Sequence, residues 1–266
     1  MPSKITTLRS PGGRLLTIEW REDGLLPGPY LEDIARHGGS HGYVVVSEKA
    51  VDDGKKRAER DTCLHVSLLL QPAIHPGRGT FFSVFGALAL ARTVRRHSPY
   101  EPRIRWVGDV LVGKQRLAEV TTRAALRQTG TFQYVTVNLS LRITKSFVGN
   151  LSDIVHSVFK SRRETMRERI AETLITEFFS LYEAATVGEL SSILSEYREL
   201  SYLQDKRIRI LQDGKLHFAT VTGINDDGHL VVTLWHGKSI VLTSASELYD
   251  PRRAKHSLRA EKAKEG

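Results

Sequence analysis

The sequence predicts an α+β fold in which a mixed sheet packed with helices precedes a small C-terminal β-barrel. Three observations carry that expectation. Short apolar strands and a helical stripe interleave between Arg14 and Leu141, and residues 151 to 203 read as helix. From Lys206 the apolar period becomes that of strands, cut by evenly spaced turn signals.

Arg14 to Trp20 alternates as a strand does, and Arg21 to Pro29 is a Gly/Pro loop. Tyr30 to His37 reads as a short helix stopped by Gly38-Gly39. Tyr43-Val44-Val45-Val46 is a buried strand, followed by a charged loop from Asp52 to Arg60. Leu64 to Leu70 is the next strand, ended by Gln71-Pro72. From Thr80 to Arg96, apolar residues at 81, 84, 85, 88, 91 and 94 draw a helical stripe. Arg92, Arg95 and Arg96 fall in its last turns, where cations suit the helix dipole. Arg103 to Val120 reads as two short strands joined by a tight turn, with Ile104, Trp106, Val110 and Val112 as strand residues and Gly113-Lys114 as the reversal. Further strands lie near Arg116 to Thr122 and at Phe132 to Leu141.

In the helical stretch, Ser161-Arg162-Arg163-Glu164 and Thr186-Val187-Gly188-Glu189 match the capping box, in which hydroxyl and carboxylate satisfy orphan amides. Between them Ile170, Leu174, Ile175, Phe178, Phe179 and Leu181 form a broad apolar face that must pack on the sheet. Asp213-Gly214, Asp226-Asp227-Gly228 and His236-Gly237 then separate four strands, Arg207–Leu211, Leu216–Thr222, His229–Leu234 and Ser239–Leu242. The expected organisation is residues 1–205 as the main domain, with 1–13 flexible, 206–250 as the barrel and 251–266 as a charged tail.

Composition narrows the function classes. A 40% hydrophobic, 26% charged chain of 266 residues is ordinary for a soluble globular protein, and no apolar run is long enough to span a bilayer. Met1 to Trp20 lacks the apolar core of a secretory signal. Its hydroxyl and basic residues before Glu19 resemble an organelle transit peptide, though Pro11, Gly12 and Gly13 oppose an amphipathic helix. The expected location is intracellular, in cytoplasm or an organelle matrix, the mitochondrion included. Cys63 is the only cysteine, so there is no internal disulfide, and the ten histidines form no ligand pair with a nearby acid; no metal site is expected. The net charge of +9, from 39 basic against 30 acidic residues, favours an acidic partner.

Arg105-Trp106-Val107-Gly108-Asp109, then Gly113-Lys114, then Arg116-Leu117-Ala118-Glu119 resembles the central signature of biotin protein ligases. There a Lys-Trp-Pro-Asn-Asp segment precedes a strand, a Gly-Lys turn and a Lys-(Ile/Leu)-Ala-Gly run. His65 to Pro72 is similar to the family's Phe-Ser-Leu-Leu-Leu-(Arg/Lys)-Pro strand, and Phe82 to Ala91 to the sheet-packing helix that follows. The resemblance spans roughly residues 30 to 250 and implies a class II aminoacyl-tRNA-synthetase-like biotin/lipoate ligase fold. No winged-helix segment precedes it, so sequence-specific DNA binding is not expected.

The family adenylates biotin with ATP and passes the biotinyl group to a carrier lysine, which requires amides and cations around a carboxylate and a phosphate. Each place that the resemblance assigns to this task is altered. No Ser-Thr-Asn triplet occurs near Trp20 to Gly24. The Gln-Thr-x-Gly-Arg-Gly-Arg loop is replaced by residues 49 to 57, where Lys55, Lys56 and Arg57 offer point charges but only Gly54 remains of the glycines. Arg105 stands for the acyl-contacting lysine, an exchange that is not conservative. Asp109 matches, but Ala-Gly has become Ala118-Glu119; a carboxylate ~4 Å from a bound anion at an effective dielectric near 20 costs about 4 kcal/mol. The Gly-x-Gly-x-Asn strand reads Val137-Asn138-Leu139-Ser140-Leu141, with side chains where bare backbone should approach a ligand.

The expectation is therefore a ligase scaffold without ligase chemistry, holding no cofactor and binding an acidic protein or an RNA or ribonucleoprotein partner. The basic clusters around Lys55, Arg92 and Arg162 would supply the surface. The alternative is an active ligase using ATP, biotin and Mg on a biotin carboxyl carrier domain. Its catalytic candidates are Arg105 and Asp109, with Lys55, Lys56, Arg57, Trp106, Lys114, Glu119 and Asn138 as ligand-binding residues. A third expectation, an acyltransferase for lipoate or octanoate with Cys63 as nucleophile, lacks the glycine-rich contacts that branch depends on.

Overall fold

In the computed structural model, residues 3–23, 25–50, 62–143, 162–212 and 214–248 are described. Eight strands form one mixed sheet: β1 (Lys4–Arg9), β2 (Leu15–Arg21), β3 (Tyr43–Ala50), β4 (Thr62–Leu70), β5 (Pro102–Arg105), β6 (Asp109–Val112), β7 (Gln115–Leu126) and β8 (Phe132–Ile143). Their order is β1-β2-β3-β4-β8-β7-β6-β5, with β2 and β3 parallel and every other pair antiparallel.

Side-chain alternation explains the two faces. One face carries Ile18, Val44, Leu68, Val137, Val110 and Ile104, all fully or almost fully buried. It is covered by α2 (Thr80–His97), α3 (Arg162–Thr186) and α4 (Leu190–Glu199). Helix α2 is apolar nearly all round because the sheet lies on one side of it and α3 on the other. Gly86 allows its close seat: a Cβ there would lie 2.8 Å from both Leu139 and Val120 side chains. The opposite face holds α1 (Pro27–Arg36), whose Leu31 and Ala35 pack with Val45, Leu69 and Tyr134.

Two expectations are corrected. Within the stretch 1–13 that was expected to be flexible, Lys4–Arg9 pairs in register with Leu15–Trp20 as the edge strand of the sheet. The C-terminal strands β9 (Arg207–Gln212), β10 (Lys215–Ile224), β11 (Leu230–Leu234) and β12 (Ser239–Leu242) form an open antiparallel sheet, β12-β11-β10-β9, and not a barrel. Closure would need β12 against β9, but Leu248 bridges to Ile210 of β9 instead.

The small sheet is fastened to the main one. Trp106 Nε1 donates to the Gly228 carbonyl at 2.8 Å, and Arg198 Nε donates to the Ile224 carbonyl at 2.8 Å. Ile210, Val221, Leu230 and Val232 belong to the same apolar core as α2 and the large sheet. The capping box expected at Thr186 is absent, since Thr186 Oγ1 donates back to the Glu183 carbonyl and α4 starts after Glu189 without a side-chain cap. Ser161 lies outside the described residues. No helix among the described residues is long and apolar enough to cross a membrane.

Candidate functional site

The face beneath α1 is where polar side chains gather. The strand register lines up Arg21, Ser47, His65, Ser140, Glu119, Asp109 and Arg105 in one row across β2, β3, β4, β8, β7, β6 and β5. Neighbouring strands lie roughly 4.8 Å apart, so adjacent members of this row are in reach of one another. The next row runs Glu19, Val45, Ser67, Asn138 and Thr121.

At the β5–β6 end the row is an ion-pair network. Arg105 Nε donates to Asp109 Oδ2 at 2.9 Å, and its Nη2 meets the same oxygen. Arg116 Nη1 lies 3.5 Å from Asp109 Oδ1 and 2.7 Å from Glu119 Oε2. Two guanidinium groups thus face two carboxylates. Hydrogen bonds to ionised partners are short and directional, so this arrangement holds both arginines in place.

In mid-sheet the polar groups satisfy each other. Ser67 Oγ donates to Asn138 Oδ1 at 2.6 Å, and Ser47 Oγ donates to the Leu25 carbonyl at 2.9 Å. His65 Nδ1 is 2.9 Å from Ser140 Oγ, and burial together with Lys49 lowers its pKa. The first turn of α1 sits directly on Asn138: a Cβ added to Gly28 would be 2.7 Å from Asn138 Oδ1. At the β2 end, buried Glu19 accepts Tyr43 Oη at 2.8 Å and Tyr30 Oη at 3.2 Å, with Arg21 Nη1 at 3.3 Å. Burial first, and the Glu19 carboxylate second, push the Tyr43 hydroxyl pKa well up.

Beside these rows a cavity of about 560 Å³ opens at the ends of β2, β3 and β4 against α3, with Trp20, Val46 and Leu64 as its apolar wall. Its charged rim is already paired, Lys4 with Glu168 at 2.8 Å and Arg167 with Glu48 at 2.5 Å.

No family model matches the chain, and no curated protein matches it in sequence. Solved structures do match its shape. A biotin protein ligase-like protein of unknown function from Silicibacter sp. TM1040 has a TM-score of 0.68 at 15% identity, covering 92% of this chain and 100% of that one. The biotin protein ligase of Aquifex aeolicus has a TM-score of 0.63 at 11% identity, over 86% of this chain and 96% of that one. The same enzyme in complex with biotin and ATP matches with a TM-score of 0.61. The fold is that of the biotin protein ligases.

On this ligase-like fold the residues singled out by resemblance do not all meet. Arg105, Asp109 and Glu119 share one row, and Asn138 lies in the next. Trp106 is turned the other way, 3% exposed, with its indole spent on Gly228. Lys114 is exposed in the hairpin turn at the opposite end of β6 from Asp109. Lys55, Lys56 and Arg57 lie outside the described residues. Ser47, His65 and Ser67 were missed as site residues, although a signal existed: His65 and Ser67 are polar residues at alternate positions of the largely apolar β4, and Ser47 directly follows the apolar run of β3.

Chemically, Arg105 and Arg116 are matched by Asp109 and Glu119, while Lys49 and Arg142 lie in the adjoining row of the same face. An arginine closed on a carboxylate is not free to receive an acyl phosphate, and releasing it leaves that carboxylate behind. Among the described residues, Arg105 and Arg116 are engaged in ion pairs, and no adenylation step is derived from them. Glu119 is paired with Arg116, so the charge penalty computed for an isolated carboxylate is reduced here. Among the described residues no three His, Cys, Asp or Glu side chains are grouped to hold a metal ion.

Proposed function

We propose that this chain keeps the biotin protein ligase scaffold without the ligase reaction and works by binding an acidic partner, protein or ribonucleoprotein. One observation carries the reading: Arg105, at the position resembling the ligases' acyl-contacting lysine, is closed on Asp109, while Arg116 bridges Asp109 and Glu119. The covered Asn138 beneath α1 supports it. The net charge of +9 supports the acidic partner.

The test is incubation of the full chain with labelled biotin, ATP, Mg and a biotin carboxyl carrier domain. No transfer above an enzyme-free control is expected, and neither biotin nor ATP should raise the thermal midpoint by several degrees. Clear transfer overturns the proposal.

A second reading, an active ligase with a divergent pocket, is favoured by the half-buried His65 and Ser140 and by the cavity beside the sheet. In that reading Arg105, Asp109, Lys114 and Lys56 are the residues whose substitution abolishes transfer.

A further inference from the structure

The cations that sequence clustering marks on α2 are not available for a partner. Arg92 pairs with Glu177 at 3.2 Å and with Glu196 at 2.5 Å, Arg96 with Glu177 at 3.3 Å, and Arg95 with Glu101 at 3.0 Å. The small sheet carries two arginines, Arg207 and Arg209, on β9. None of its four strands contains an aspartate or glutamate.

Alternation divides that sheet cleanly. Its inner face, with Ile210, Val221, Leu230 and Val232, joins the core. Its outer face carries a row Arg207, Thr220, Thr233, Ser239 across all four strands, and beside it the pair Arg209 and Phe218. The last β10–β11 pair is Ala219 with Leu234, and Trp235 follows in the turn that leads into β12. Phe218 is 50% exposed and Trp235 83% exposed. The Arg207 and Arg209 guanidinium carbons lie 4.5 and 5.9 Å from the Phe218 ring centroid. Leu211 and Leu216, also exposed, extend the patch.

A solvated antiparallel face is ordinarily polar, so the exposed Phe218 on it and the exposed Trp235 in the adjoining turn call for an occupant. We propose that the outer face of the C-terminal sheet docks single-stranded nucleic acid, with Phe218 and Trp235 stacking bases, Arg207 and Arg209 meeting phosphates, and the Thr220–Thr233–Ser239 hydroxyls bonding the backbone. The inference rests on the binding role proposed above and names its surface and ligand class. Exposed aromatic faces beside cations, on a sheet without acids, match both the π-faces of bases and the negative backbone. An acidic peptide would use the arginines but leave the aromatic faces without a counterpart.

The test is fluorescence anisotropy of the full chain with labelled single-stranded RNA about twelve nucleotides long, read across a salt series. Trp235→Ala and Phe218→Ala should each weaken binding about tenfold, and Arg207→Gln with Arg209→Gln should flatten the salt dependence by about two phosphate contacts. All three variants must keep the wild-type thermal midpoint, as exposed positions should. RNA binding indifferent to the aromatic substitutions overturns this face but leaves a non-catalytic binding role standing. Binding of polyglutamate that depends on the arginines alone, with no RNA bound, overturns the ligand class in favour of an acidic protein. Biotin transfer, measured separately, is what removes the underlying reading.

Discussion

At the scale of single residues, burial decides reactivity more than residue type does. Cys63 is held near Glu119 and Glu48 and largely out of water, which pushes its thiol pKa up to about 11, burial being the larger cause. At pH 7.5 its thiolate fraction is therefore about a thousandth or less, and iodoacetamide labelling of the native chain should be at least tenfold slower than in urea. Equal rates would show the thiol to be open. His41 is the second case. Its Nδ1 accepts the Gln71 amide at 3.0 Å, and its ring lies against Phe179 and Tyr182. Desolvation, then Arg14, lowers its pKa to about 4, against the opposing charge of Glu183. The unfolded chain binds more protons between pH 6.5 and 4, so stability falls as pH drops through that window. Wild type should lose on the order of 1–2 kcal/mol more than His41→Gln there, after allowing for solvent screening, by urea midpoints. An imidazole resonance titrating near pH 6.5 would contradict this. Neither environment is readable from the chain, because the neighbours of Cys63 and His41 come from strands and helices far off in sequence. By contrast, Asp109 at the head of the signature was legible; what its spacing hid is that Arg105 and Arg116 are both turned onto it.

At the scale of elements, periodicity found what packing periodic side chains creates. Helix α2 and strands β3, β4 and β8 lie where their apolar patterns put them, and β9 to β12 fall between the turn signals. Strand β1 was hidden because Ser3 to Arg9 is polar and mostly exposed: an edge strand owes its place to backbone pairing with β2 rather than to burial. Caps were less legible still. Thr186-Val187-Gly188-Glu189 has the letters of a capping box and does not form one, whereas Ser244-Ala245-Ser246-Glu247 forms one in full. The difference is context, since Thr186 is the last residue of α3 and its hydroxyl is used there. The seat of α1 is the element on which the covered site depends. Gly28→Ala would push a methyl to 2.7 Å from Asn138 Oδ1 and lift the first turn off β8, costing about 1–3 kcal/mol. Asn138→Ala should return most of that loss in the double variant, by chemical denaturation, whereas strictly additive effects would show that the two do not compete for one space.

At the scale of the whole molecule, the order of the strands and the attachment of the small sheet were the least legible, because both rest on long-range pairing. Four evenly spaced strands suit a barrel or an open sheet equally until the partner of the β9 edge is known, and Leu248 takes one place on it. A boundary near residue 205 is visible as a change of period, yet the cores on its two sides are continuous. The β10–β11 turn is gripped by three elements: Trp106 bonds Gly228, Gly228 packs on the start of α2, and Arg198 of α4 bonds Ile224 and, at 2.7 Å, Asp226. Such an interface melts with the domain rather than before it. Calorimetry should show one unfolding transition, and Trp106→Phe should lower its midpoint by a few degrees, since it strands a buried carbonyl at a cost of about 1–3 kcal/mol while keeping most of the apolar volume. Two separated transitions, or a Trp106→Phe chain as stable as wild type, would mean that the small sheet folds by itself. The outcome bears on function: a rigid small sheet holds its outer aromatic face at a fixed angle to the α1 face, so an occupant of one would be positioned with respect to the other.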